Sequence, residues 1–288
     1  MKVERYNNKA YYYLLPTIII LVVITIIPTF YGIWLSFNHI PRTGLEDIEF
    51  YGVKNYYSLI TSDVFWQSIK TTIIYVFSTV LFTCVLGFLL AILLNRRIYG
   101  KKVILSLFVL PITATPVVVG LIWKFMLNGD IGIINYFLGL LKIPQINWLS
   151  SPVTALISVI TVDVWQWTPF CMIFLFAGLQ NLSNEFVEAA RIDGANKFQI
   201  FRHVTFPQLL PITMVVVLLR LMDSFKMFDI IYIMTEGGPG RATETINILA
   251  YKIGFRYFDY TKMAALGMIA LIIIIVLANI VIEVFKER

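Results

Sequence analysis

Two short runs in the sequence set acid, base, amide and aromatic side chains at helical spacing. Asp163, Gln166, Trp167 and Phe170 fall at i, i+3, i+4 and i+7, and Arg220, Asp223, Ser224 and Met227 repeat the same intervals. Residues so spaced share one face of a helix. Lys226 and Asp229 stand close to the second run. Aromatic rings beside carboxylate, guanidinium and hydroxyl groups suit non-covalent capture of a polyhydroxylated solute. The rings stack on its apolar face and the polar groups meet its hydroxyls. A plainer reading stays open beside this one: an ion pair between two helices, for example Asp163 with Arg220, that touches no ligand.

Covalent chemistry finds little footing. The two histidines, His39 and His203, are far apart in the chain, and no nucleophile–base set is visible. Cys84 and Cys171 have neither C-x-x-C nor histidine-paired spacing, so they read as buried, unreactive thiols rather than zinc ligands or a disulfide framework. A phosphate-binding G-x-x-x-x-G-K-[ST] loop is missing, and the GKK at 100–102 lacks both its spacing and its hydroxyl. The chain is therefore expected to bind no metal or cofactor of its own and not to act as an enzyme.

The elements that position these residues are oily. Of the 288 residues 59% are hydrophobic and only 14% charged, with a mean hydropathy of +0.81. Soluble domains carry about 25% charged and about 45–50% apolar residues. Six apolar runs, at about 11–37, 69–94, 103–127, 153–179, 209–234 and 263–285, have the length of spanning helices. None shows the alternation of an outer-membrane barrel strand. The expectation is an all-α integral membrane protein with six transmembrane helices forming a single domain over 1–288. The first run is too long for a signal-peptide core and lacks a small-residue cleavage site, so it should be retained as a helix.

Charge sets the orientation. Lys2, Arg5 and Lys9 precede span one; Arg96, Arg97, Lys101 and Lys102 separate spans two and three. Arg191, Lys197 and Arg202 separate spans four and five, and Lys286 and Arg288 follow span six. The opposite loops hold the smaller and sparser group Arg42, Lys54, Lys142, Arg241, Lys252, Arg256 and Lys262. Because cationic loops stay in the cytoplasm, both termini should lie there. No basic face interleaved with exposed aromatics supports a nucleic-acid partner for the net charge of +6.

Within this frame, LPITATPVVVG in span three predicts a kink through Pro111 and Pro116, with Gly120 beyond. Its freed carbonyls must be met by neighbours or water. Lys124, near the outer end of that span, should snorkel. The first outside loop carries Tyr51, Tyr56, Tyr57, Phe65 and Trp66 and suits a short helix at the membrane–water interface. TEGGPGRATET, through Gly237, Gly238, Pro239 and Gly240, reads as a tight loop turn after span five.

One cytoplasmic stretch, 183–208, interrupts the oil and reads SNEFVEAARIDGANKFQIFRHVTFPQ. Ser183 or Asn184 can cap a helix whose first turns hold Glu185 and Glu188. Gly194 then opens a turn, and a second amphipathic segment places Phe198, Phe201 and Val204 at helical spacing. Pro207 and Pro211 should end it. A compact helix–turn–helix between two spans, with small residues at its turn, reads either as a docking element or as a short surface loop.

This stretch resembles the EAA loop of binding-protein-dependent ABC importer permeases. That pattern runs Glu-Ala-Ala, three residues, Gly, nine residues, Ile-x-Leu-Pro. Here Glu188, Ala189 and Ala190 are followed at the same spacing by Gly194, and Val204 and Phe206 replace the Ile and Leu before Pro207. LLPTIIILVVITIIPTFYGIWLSF, NYYSLITSDVFWQSIKTT and DSFKMFDIIYIMTEGGPGRATET are similar to the maltose- and glycerol-phosphate-type sugar permeases, and more narrowly to the maltose permease F type. The resemblance implies a type I permease fold and a coupling segment in a cleft on an ATPase, carried by Glu188, Ala189, Ala190, Asp193, Gly194, Ala195, Phe198 and Pro207. It also implies four kinds of partner: a second homologous permease, two ATPase subunits that hold ATP and magnesium, an extracellular solute-binding lipoprotein, and a sugar substrate. The setting would be lipid of the bacterial cytoplasmic membrane. The substrate-lining helices of that family match spans four and five. An acidic solute such as glycerol phosphate or a uronate oligosaccharide stays open, as does a self-contained secondary transporter or channel working without ATP.

Overall fold

The structure is a computed structural model that describes residues 9–41, 48–96, 98–182 and 184–286. Lys2, Arg5, Arg42, Arg97, Ser183 and Arg288, named above, lie outside the described residues. In chain order, α1 (Lys9–Leu21) joins α2 (Ile27–Ser36) through a π-helical turn at Val22–Ile26. A two-residue antiparallel pair follows, β1 (Asn38–His39) with β2 (Glu49–Phe50), with Asn38 opposite Phe50, and then α3 (Lys54–Ile60). Next come α4 (Asp63–Leu94), α5 (Lys101–Thr113), α6 (Pro116–Met126), α7 (Ile133–Leu140) and α8 (Pro152–Gln180). The chain continues through α9 (Asn184–Ile192), α10 (Lys197–Ile200), α11 (Phe206–Lys226), α12 (Asp229–Thr235), α13 (Ile246–Tyr251) and α14 (Tyr260–Lys286).

Among the described residues, five helices are long and apolar enough to cross a membrane, and the bent pair α5–α6 makes a sixth span if counted as one. Contacts divide the chain into two units, the chain up to Ser62 with Ala250–Leu271, and Asp63–Leu249 with Ile272–Arg288. In the first unit, the long helix Tyr13–Ser36 leaves most of its apolar side chains exposed. Its end is tied to the following loop: Asn55 Nδ2 donates to the carbonyls of Ser36 and Asn38, each at 2.9 Å, and Ser36 Oγ meets the Tyr56 hydroxyl at 2.6 Å. The short helix expected in that loop is α3.

The second unit is organised by α4 against α8. Gly87 lets the two backbones approach, since a Cβ there would sit 2.6 Å from Cys171 Cβ and 2.9 Å from the Met172 nitrogen. Close crossing through small residues is a common means of helix association in apolar surroundings. Cys84 Sγ and Cys171 Sγ lie 3.8 Å apart as free thiols at this crossing. Farther along, Ala91, Leu175, Leu179 and Leu209 form a buried core that α11 joins.

Three differences from the sequence reading have physical causes. Span three is broken rather than kinked: α5 and α6 meet at 96°. Ala114 and Thr115 are both extended, as the residue before Pro116 must be when a proline ring excludes the helical region. Span five begins earlier and ends earlier than expected. An unbroken helical run from Lys197 to Lys226 passes straight through Pro207 and Pro211. A π turn at Phe201–Thr205, in which Phe206 donates to the Phe201 carbonyl, absorbs the donor missing at Pro207. The remainder of the expected span is the separate α12, which packs on α6 where Gly120 leaves room for Ile230 and Ile233. Finally, TEGGPGRATET is folded inward. Thr243, Glu244 and Thr245 are buried, Thr243 Oγ1 donates to the Gly238 carbonyl at 2.9 Å, and the Ile246 amide donates to Thr72 Oγ1 on α4 at 2.9 Å.

Candidate functional site

Half-way along α8 the helix carries Asp163 into the interior, and α11 brings Arg220 to meet it. Arg220 Nη2 donates to Asp163 Oδ1, and both side chains are fully buried. The other carboxylate oxygen accepts from the Tyr75 hydroxyl of α4 at 2.9 Å. One turn on, Thr79 Oγ1 donates to Ser224 Oγ at 3.1 Å. A charge taken out of water is costly unless paired and hydrogen-bonded, and here the carboxylate has a partner on each oxygen. These bonds join α4, α8 and α11 at one level.

The guanidinium also reaches the aromatic face of the site. Arg220 Cζ lies 5.3 Å from the Trp167 ring centroid, within cation–π range. Trp167, Phe170 and Phe174 continue as a ladder along α8, at centroid separations of 6.2 and 4.7 Å. Gln166 turns toward the broken span, where its Nε2 donates to the Ala114 carbonyl at 2.9 Å. That carbonyl is one of those released by the break at Pro116, so a side chain of span four satisfies a backbone defect of span three. Gln166 Oε1, Trp167 Nε1 and Arg220 Nε and Nη1 are buried without a hydrogen-bond partner among the described residues.

The eight residues singled out on spans four and five separate by burial. Asp163, Gln166, Arg220, Ser224 and Met227 are buried within this chain, whereas Trp167, Phe170 and Asp223 are half-buried. The ion pair left open by the sequence exists. Met227 is not on the α11 face with the others, because α11 ends at Lys226 and Met227 leaves the helical region. Tyr75, Thr79 and the Ala114 carbonyl escaped the sequence reading. The signal for the first two was a row of polar residues in an otherwise apolar helix: Ser68, Thr72, Tyr75, Thr79 and Thr83 lie at intervals of three or four and are all buried.

The second group of candidates lies between α8 and α11. α9 ends in a Schellman motif: Gly194, at φ +82°, donates to the Arg191 carbonyl at 3.1 Å, and Ala195 donates to the Ala190 carbonyl at 2.9 Å. Nothing lies within 4 Å of a Cβ built on Gly194, so its backbone angle and not crowding demands glycine. Asn196 then starts α10 through a capping box with Gln199, its amide donating to Gln199 Oε1 at 2.8 Å and its Oδ1 accepting from the Gln199 amide at 2.9 Å. That box was legible in Asn196-x-x-Gln199 and was missed. Glu188, Ala189, Asp193, Gly194, Phe198 and Pro207 are exposed, with Ala190 and Ala195 half-buried. Phe198 parts from Phe201: it faces outward, while Phe201 packs on Phe88 and Phe206. Phe186, Ile192 and Phe198 thus leave three large apolar side chains exposed on a segment of high charge.

A family model for the binding-protein-dependent transport system inner membrane component matches residues 83–288. The chain belongs to that family. The match takes in every candidate residue of both groups. This permease is 41% identical over 233 residues to the probable ABC transporter permease protein y4oQ of Sinorhizobium fredii, covering 81% of this chain and 75% of that protein. It is 32% identical over 279 residues to the trehalose/maltose transport system permease protein MalF of Thermococcus litoralis, covering 97% and 94%. Its fold is similar to that of a bacterial ABC transporter involved in the import of the acidic polysaccharide alginate. The TM-score is 0.84 at 22% identity, over 96% of this chain and 95% of that one. At that identity the likeness speaks to fold. The helical importer-permease architecture and the multi-pass inner-membrane setting read from the sequence are borne out.

Proposed function

We propose that this permease is the membrane-spanning subunit of an ATP-driven importer of a sugar or oligosaccharide, working by alternating access. The similarity to the trehalose/maltose permease over nearly the whole chain supports a carbohydrate substrate. Its partners are a second homologous permease, two ATPase subunits and an extracellular solute-binding lipoprotein. ATP and magnesium sit on the ATPase subunits, and this chain supplies no catalytic group. The surplus of Lys and Arg in one set of loops supports a cytoplasmic coupling segment and cytoplasmic termini.

The observation that carries the mechanism is the path from α9 to Arg220. The coupling segment exposes Phe186, Ile192 and Phe198 for docking and is rigidified by a Schellman motif and a capping box. From Lys197 an unbroken helical run reaches Arg220, which is bonded to Asp163 on the helix that enters the segment from its other side. A push on the segment therefore moves α8 and α11 together, with α4 held to them by Tyr75 and Thr79. On this reading the half-buried Trp167, Phe170 and Asp223 meet a passing solute, and the buried Asp163, Gln166, Arg220 and Ser224 hold the helices behind them.

The test is uptake of labelled sugars by the full complex in proteoliposomes, with and without ATP. ATP- and binding-protein-dependent accumulation of a saccharide supports the proposal. Accumulation by this chain alone without ATP overturns it in favour of a secondary transporter.

A further inference from the structure

The segment joining α6 to α8 shows an inversion of the usual surface pattern. On α7, Ile133, Tyr136, Phe137, Leu140 and the adjoining Leu141 lie at i, i+3, i+4, i+7 and i+8, one continuous face. That face is the exposed one, each side chain being 48–71% accessible. The one amide side chain of the helix, Asn135, points inward instead and is buried. Its Nδ2 donates to the carbonyls of Gly129 and Ile146 at 2.8 and 3.1 Å, and its Oδ1 accepts from the Ile146 amide and Trp148 Nε1 at 3.3 and 2.9 Å. Four hydrogen bonds on the inner side fix the rotation of the helix, so the apolar stripe cannot turn inward.

We propose that α7 is a lipid anchor, its stripe buried among the acyl chains and headgroups of the leaflet at the end of α8 away from the coupling segment. With 29 residues in α8, the two ends are separated by about 44 Å at 1.5 Å per residue. That distance is comparable to a bilayer with its interfacial regions, which are about 40–45 Å thick. α7 therefore lies at the second interface when α9 lies at the first. No charged residue interrupts the stripe: Asp130 and Lys142 flank it, and Lys142 is exposed, as a lysine reaching headgroups from the edge of an interfacial helix would be. Tyr136 supplies the amphipathic ring usual at that depth.

A second exposed apolar face leads into it, because α6, the helix before α7, exposes Val117, Val118, Leu121, Ile122 and Phe125. A soluble partner that docks and leaves would return five large apolar side chains to water between encounters. Contiguous apolar surface of that kind marks a protein or membrane interface, and its place at the depth of the second bilayer interface favours the membrane. Lipid is the occupant proposed for it.

The test uses the complete transporter in vesicles of phosphatidylethanolamine and phosphatidylglycerol. A nitroxide is placed at Phe137→Cys or Leu140→Cys, with Gln145→Cys on the polar side of the loop as the aqueous reference. Labelled wild-type protein reports the background from Cys84 and Cys171. Collision with oxygen should exceed collision with a water-soluble nickel chelate at 137 and 140, and the order should reverse at 145. Equal access of the nickel chelate at 137 and 145 would overturn the anchor. Shielding of 137 from both relaxants would also overturn it and would point to a protein cover.

Discussion

Arg220 on α11 and Asp163 on α8 form an ion pair in which neither side chain is accessible, and Tyr75 on α4 closes the remaining carboxylate oxygen. Three spans are thereby joined at one level by groups that are each expensive to leave unpaired. The pair is a poor guide to absolute stability, since well-packed apolar side chains of similar volume can replace such a pair at little cost. Removing one member is different, because the other is left as an uncompensated buried charge.

Arg220→Met or Asp163→Leu alone should destabilise the protein by about 3–5 kcal/mol. The double variant should recover most of that loss. Tyr75→Phe should cost about 1.5–3 kcal/mol through one lost charge-assisted hydrogen bond. Thermal unfolding in detergent measures all four. Additive losses in the double variant would show that the two residues do not act as a pair.

Gly87→Ala should force α4 and α8 apart, since its Cβ meets Cys171 Cβ at 2.6 Å. Overpacking of this kind typically costs about 1–3 kcal/mol. Gly139→Ala on α7, with nothing within 4 Å, is the control and should be neutral or slightly stabilising. Equal unfolding temperatures for the two variants would contradict the close crossing.

Gln166→Leu should leave the Ala114 carbonyl unsatisfied at the break of span three. A buried acceptor without its donor costs about 1–3 kcal/mol. The loss should appear as increased hydrogen exchange across the α5–α6 junction, with α4 and α14 unchanged. Unaltered exchange there would mean that Gln166 does not hold the break.

Phe198 stands exposed on α10. Phe198→Asp should weaken retention of the ATPase subunits during purification by roughly tenfold or more, the range of a buried aromatic anchor. Phe201→Asp should instead damage folding, because Phe201 packs on Phe88 and Phe206. Undiminished retention in the Phe198 variant would place the docking surface elsewhere.

The sequence made the six apolar runs legible because a bilayer imposes a length on them, and the coupling segment because its glycine must adopt a positive φ. Asp163 and Arg220 were visible as costly charges in apolar helices. Their burial was not, since periodicity puts two residues on one face without saying whether that face meets a cavity or a neighbour. At Pro116 the sequence predicts a bend, because proline displaces the preceding residue from the helical region, but the angle depends on α8 and α12, which receive the two halves. Likewise Pro207 predicts a helix end, because a π turn that absorbs its missing donor leaves no mark in composition. Tyr75 is legible in the sequence, because the polar row along α4 that contains it stands out in an otherwise apolar helix.

The central claim is that the segment around Glu188 and Gly194 transmits ATPase motion to the bonded α8–α11 pair. Its most direct test is ligand-stimulated ATP hydrolysis by the assembled transporter carrying Glu188→Lys or Gly194→Val. Glu188 is exposed, and Gly194 needs its backbone angle rather than space, so both variants should insert in the membrane. The account predicts that stimulation by loaded binding protein and sugar uptake are both lost. Wild-type stimulation and uptake in either variant would contradict it.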